Sequence, residues 1–278
     1  MELLDKIINT ENEEEIKDLL DQEIKIKNDN ATKVEELGMS SNGVGSKPFK
    51  GFLPLETRIK YSNRSVETYS MKTKDFFYEY ALFLKKHNIT KKGMFVAALE
   101  TFMNNYFGTE KKHVSRETIF NDIPFQNTKT DEEYFAALDN NSIGDLKGTS
   151  AAECTERAAM AQQILSLFDI ETYYCIGCIK KGAKEEAHAF NIAKTKNGYA
   201  LLDYSMPVTR FNDDGKAVMY FPFMEEMTEL EFEEFINGGK LKDFNDYEFV
   251  NNEKIINGQE RTYIVNSYEI TKNITDIK

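Results

Sequence analysis

The chain predicts an α+β fold, and three observations predict it. Apolar residues recur at helical spacing through the first hundred positions, a small-residue helix follows in the middle, and strand-like segments separated by turn residues come after that. The 278 residues are enough for one large domain or two small ones. Hydrophobic residues make up 41% and charged residues 29%, the balance of an ordinary globular chain. We expect a mainly helical region over 1–110 and a second domain over 111–278, because the pattern changes near residue 110.

The helical part is read from Ile16, Leu19, Leu20 and Ile24, from Phe76, Tyr80, Phe83 and Leu84, and from Phe95, Leu99, Phe102 and Met103. Each set puts its apolar side chains on one face of a 3.6-residue period. Between the first and second sets, Gly38, Gly43, Gly45, Pro48, Gly51 and Pro54 mark a loop. A short helix is expected around 131–138 and a longer one over 151–168. Strands are expected over 171–179, 187–193 and 199–204, the last two flanking a Lys-Asn-Gly turn, and over 217–221, ended by Pro222. A helix over 228–236 and a hairpin around Asn257-Gly258 complete the chain.

The charge excludes some partners. A net charge of -12 repels phosphates, so neither nucleic acid nor an anionic membrane surface is expected as the main partner. No apolar run has the length of a membrane span. The acidic, amphipathic start MELLDKIINTENEEEIKDLL does not read as a secretory leader. Three cysteines are odd in number and too few for a disulfide framework, so a reducing cytoplasm is the expected location. The oligomeric state is left open.

The informative stretch begins at Gly148 and ends at Pro207. Cys154 lies in AAECTERA, where Ser150 and Glu153 have capping-box spacing, so a helix starting near Ser150 would carry Cys154 in its first turn. There the helix N-terminus favours the thiolate, which is the reactive form. The competing reading is an inert core cysteine, since Cys154 shares a small and apolar stripe with Ala151, Ala158, Ala161, Leu165 and Phe168. His188 lies in EAHAFN, between two alanines that leave room beside its ring. Asp203 lies in LLDYSMP. If Thr195 to Gly198 form a four-residue loop, Lys194 pairs with Tyr199 and His188 falls opposite Ser205. Asp203 is then a diagonal neighbour of His188. A two-residue Asn-Gly turn would carry Asp203 out of reach. His87 and His113, away from any motif, are expected to be structural. So are Cys175 and Cys178, which three residues apart on a strand point to opposite faces and cannot share a metal.

A cysteine opening a buried helix, then a His-Ala-aromatic strand, then an Asp strand closed by a proline resembles the transglutaminase-like (papain-like) superfamily, in the manner of a bacterial member. The likeness covers roughly residues 145 to 210. It implies a helix bearing Cys154 packed on an antiparallel sheet, with Cys154 as nucleophile, His188 as base and Asp203 as the group orienting the histidine. It also implies acyl transfer on amide bonds of a protein or peptide substrate, with no metal and no cofactor. A second oxyanion donor in the family is an upstream side chain, and Gln126, Asn127, Asn140 and Asn141 all qualify. The chain has no Trp, which transglutaminases proper use near the site, and this weighs against protein cross-linking. Hydrolysis is expected over amine transfer, because water is always present whereas transfer needs an amine site. The alternative class is a non-catalytic binding module that kept the fold.

Overall fold

A computed structural model of the chain describes residues 2–33, 36–38, 48–55, 57–60, 68–70, 74–108, 143–148, 152–181, 184–211 and 217–236. The helix expected over 131–138 and the hairpin around Asn257-Gly258 lie outside the described residues, as does residue 110. The described part is a mixed arrangement of helices and an antiparallel sheet.

Four helices come first: α1 (Glu2–Asn9), α2 (Glu13–Asn30), α3 (Lys74–Lys86) and α4 (Lys92–Phe107). Asn12 caps α2 by accepting from the Glu14 N–H at 2.9 Å, and three glutamates in its first turn suit the positive dipole end. The apolar faces read from the sequence are the buried ones: Ile16, Leu20 and Ile24 on α2, Phe76, Tyr80 and Leu84 on α3, and Phe95, Leu99 and Met103 on α4. Aromatic rings lock α3 to α4. Phe76 meets Tyr106 edge-on at 4.9 Å between centroids and Phe102 at 5.1 Å, arrangements that add to simple area burial. The segment between α2 and α3 contributes a small sheet of β1 (Glu36–Gly38), β3 (Arg58–Lys60) and β4 (Thr68–Ser70).

The five-stranded antiparallel sheet is built from β2 (Phe49–Lys50), β5 (Thr172–Lys181), β6 (Lys184–Lys194), β7 (Tyr199–Phe211) and β8 (Ala217–Met227), in the order β2-β5-β6-β7-β8. One face carries α5 (Cys154–Leu167), which touches β5, β6 and β7 and, on its other side, α2 and α4. Every residue of α5 from Thr155 onward is buried, as expected of a helix with no water-facing side. Its buried polar groups are therefore obliged to find partners. Gln163 exchanges two hydrogen bonds with the Leu53 backbone, at 2.9 and 2.6 Å. Gln162 donates to the carbonyls of Gly51 (2.6 Å) and Thr172 (2.9 Å), and Asn191 of β6 donates to the Ala158 carbonyl at 3.0 Å. The bonds of Gln162 and Asn191 tie α5 to the sheet, and those of Gln163 tie it to the segment after β2. The other face is covered by α6 (Glu229–Ile236), where Phe232 packs with Cys175, Phe190, Ile192 and Leu201. The main buried cluster runs from Leu3 to Met224, so residues on both sides of position 110 share it.

Three details differ from the sequence expectation. The stretch between α2 and α3, read as a loop, contributes strands β1 to β4, and β2 joins the main sheet. Helix α5 begins at Cys154 rather than near Ser150, because Glu153 is the N-cap and forms a capping box with Glu156, whose Oε2 accepts from the Glu153 N–H at 2.9 Å. Strand β8 does not end at Pro222 but runs through it to Met227. It is the edge of the sheet, where a missing N–H is tolerated, and β7 bulges opposite: Asp203 pairs with Phe223 but Val208 with Phe221, leaving four residues of β7 against one proline.

The β6–β7 loop follows the wider form, with Lys194 paired to Tyr199 and Thr195 N–H donating to the Gly198 carbonyl at 2.9 Å. Gly198 is needed for close approach, since a Cβ there would lie 2.4 Å from the Met227 carbonyl oxygen. We expect Gly198→Ala to cost about 1–3 kcal/mol in urea unfolding. An unchanged midpoint would show that the turn yields freely.

Candidate functional site

Cys154 is the first helical residue of α5. Groups at that position face the unpaired N–H groups of the first turn and the positive end of the helix dipole. Its side chain is half-buried, unlike the rest of the helix, and lies 3.9 Å from the Thr155 hydroxyl.

His188 and Asp203 are brought together where two strands part. The β6–β7 ladder is paired only from Lys194↔Tyr199 to Asn191↔Leu202. Asp203 is the next residue of β7, His188 is three residues along β6, and both lie in the fork beyond the last pair. There His188 Nε2 is 2.6 Å from Asp203 Oδ2. The ring is 6% exposed and the carboxylate fully buried, so this is a short charge-assisted contact away from water. On its other side His188 faces Gly177 across the β5–β6 ladder. The bulge of β7 starts directly after Asp203, which is how a strand end is turned toward a neighbouring side chain.

The carboxylate is itself held. Its Oδ1 accepts from the Ser205 N–H at 2.9 Å and the Ser205 hydroxyl at 2.7 Å, leaving Oδ2 to the imidazole. The same hydroxyl is 3.4 Å from His188 Nε2. Sequence reasoning placed Ser205 opposite His188 but gave it no role. The signal was an aspartate followed two residues later by serine, the spacing at which an Asp side chain binds backbone and hydroxyl locally.

The electrostatics tie the third residue in. Burial pulls the His188 ring toward its neutral form. The Asp203 carboxylate and its hydrogen bond outweigh this, helped by a hydrogen bond and charge interaction with the Cys154 side chain, and the pKa is pushed up to about 10. Cys154, His188 and Asp203 thus interact as one chain of groups. Behind them, burial raises the Glu100 carboxyl to about 8 against the opposing pull of Arg157 and Asn104.

The remaining candidates fall elsewhere. Gln126, Asn127, Asn140, Asn141 and His113 lie outside the described residues. His87 is exposed, with its ring 4.5 Å from that of Phe83. Cys175 is fully buried in the second core cluster, which pushes its thiol up, and the unbroken β5–β6 ladder puts Cys178 at the opposite strand parity. Among the described residues no three His, Cys, Asp or Glu side chains converge as metal ligands would, and no helix is long and apolar enough to cross a membrane. Compared with family models, with curated proteins and with solved structures, the chain matches none.

Proposed function

We propose that the chain is a thiol-dependent acyl-transfer enzyme with a transglutaminase-like (papain-like) core, acting on amide bonds of proteins or peptides and resolving the intermediate with water. The observation that carries this reading is the buried 2.6 Å His188–Asp203 contact, made by a ring that also engages the side chain of Cys154. With Nε2 committed to Asp203, Nδ1 is the nitrogen left for the sulfur. A ring protonated up to about pH 10 fits a thiolate–imidazolium pair at neutral pH.

Chemistry follows from that pair. The thiolate adds to the amide carbonyl carbon, and the Cys154 backbone N–H at the helix start is a natural donor to the oxyanion. Collapse breaks the C–N bond while the imidazolium gives its proton to the leaving nitrogen. The acyl-thioester is then attacked by water, which loses a proton to the now neutral ring, and thiolate and carboxylic acid are released. Asp203 holds tautomer and orientation throughout. The cysteine count supports a reducing, cytoplasmic setting.

Iodoacetamide at neutral pH should alkylate Cys154, located by peptide mapping, and spare the buried Cys175. A folded protein whose Cys154 stays unmodified would favour the binding-module alternative. Incubation with a glutamine peptide and a primary amine separates the two enzyme routes: ammonia without amine incorporation is expected, and incorporation would replace hydrolysis with transfer.

A further inference from the structure

We propose that Arg157 is a positioning residue for the thiol site, tying the chain just ahead of Cys154 to the chain just past Asp203; the inference rests on the thiol reading above. Arg157 sits one turn into α5 and is 6% exposed. Its Nε donates to the Ala152 carbonyl at 3.1 Å, two residues before Cys154. Nη1 donates to the Tyr204 carbonyl at 3.5 Å, next to Asp203, and to Asn104 Oδ1 at 3.3 Å. Nη2 donates to the Gly108 carbonyl at 3.3 Å, and Glu100 Oε1 lies 3.7 Å from Nη1. The guanidinium also lies over the Phe107 ring, 5.9 Å from its centroid.

What marks this as more than a buried ion pair is where the acceptors lie. Ala152 precedes the first turn of α5, outside its hydrogen-bond ladder. Tyr204 follows the end of the β6–β7 ladder and lies inside the β7 bulge, where no register to β8 exists. The nucleophile and the carboxylate are thus each flanked by backbone that no helix or sheet ladder locates, and one planar, forked side chain donates to both. Glu100 and Asn104, one turn apart on α4, hold that fork in place, with Asn104 donating to both the carbonyl and the side chain of Glu100. A lysine keeps the charge but has no planar fork of donors to spread over separate segments. In the sequence the signal was an arginine, the one basic residue of the Cys154–Leu167 helix.

The test is the pH profile of Cys154 alkylation by iodoacetamide, with thermal unfolding followed alongside. Arg157→Lys should lower the neutral-pH rate by roughly tenfold or more, because small misplacements of reacting groups are costly. It should also move the rise of the profile to higher pH, as Asp203 loses its place against His188 and the ring no longer stays protonated beside the thiolate. Gln163→Met removes buried hydrogen bonds of the same helix that tie it to Leu53 rather than to the site, and should lower the unfolding temperature with the wild-type profile kept. If Arg157→Lys is folded and keeps the wild-type profile, the positioning role is overturned. If wild type and His188→Ala have the same profile, it is the thiol reading that fails. Should Arg157→Lys not fold, Asn104→Ala removes one partner of the fork and is expected to shift the profile the same way by less; a folded Asn104→Ala with no shift then overturns the role.

Discussion

Alanine at position 188 is expected to reduce alkylation of Cys154 at neutral pH, and any amide hydrolysis, by roughly 10²–10⁴-fold, the usual contribution of a positioned acid–base group. The size of the loss follows from the geometry. In the proposed thiol site the imidazole is the proton partner of the sulfur, and the ring interacts with Cys154 and Asp203 at once. Removing it takes away the group that pairs with the ionised thiol, while the helix start stays. It also leaves the Asp203 carboxylate fully buried, with Ser205 still on Oδ1 but nothing on Oδ2, so a loss of stability should accompany the loss of reactivity. Mass-spectrometric rates of Cys154 modification, read beside a thermal melt, check both. Equal rates in the two proteins, both folded, would remove His188 from the chemistry.

Asp203→Asn should produce the second large effect, again roughly 10²–10⁴-fold, and a change in its pH dependence that no cavity would mimic. The Asp203 carboxylate is the foremost group raising His188, and burial opposes it. With the charge gone, burial prevails and the ring falls from about 10 toward, or below, the ordinary histidine value near 6.5. The ring is then neutral at pH 7, and the rise of alkylation with pH should move to higher pH, because no imidazolium remains to pair with the thiolate. Stability follows the same sign. A histidine raised on folding contributes stability that is fully present below its unfolded value and is lost as pH rises through about 10. The unfolding-temperature gap between wild type and Asp203→Asn should therefore be widest near about pH 6 and close toward pH 10. A gap that is independent of pH would show that Asp203 does not govern the ring's proton.

The amphipathic faces of α2, α3 and α4 were legible because burial follows period, and a 3.6-residue repeat of Ile16, Leu20 and Ile24 leaves one face to hide. The pairing of Lys194 with Tyr199 was one of two registers the sequence allowed; loop length decides between them, and register decides whether Asp203 reaches His188. The start of α5 was not legible. Ser150 with Glu153 and Glu153 with Glu156 have the same spacing, and glutamate is the poorer N-cap by preference. The packed chain nevertheless uses the second pair, which moves Cys154 to the head of the helix.

The sequence by itself determined the longer helices and strands, the α+β order and the three residues whose chemistry could combine, because periodicity and side-chain type are local properties. Only the tertiary structure decided that they meet. The end of the β6–β7 ladder, the bulge of β7 opposite Pro222 and the donors of Arg157 depend on contacts between segments far apart in the chain. A linear pattern carries residue types and spacing but not the relative placement of a helix start and a strand end. That placement comes from satisfying buried polar groups in three dimensions, and here it lets an imidazole interact with a sulfur and a carboxylate at once.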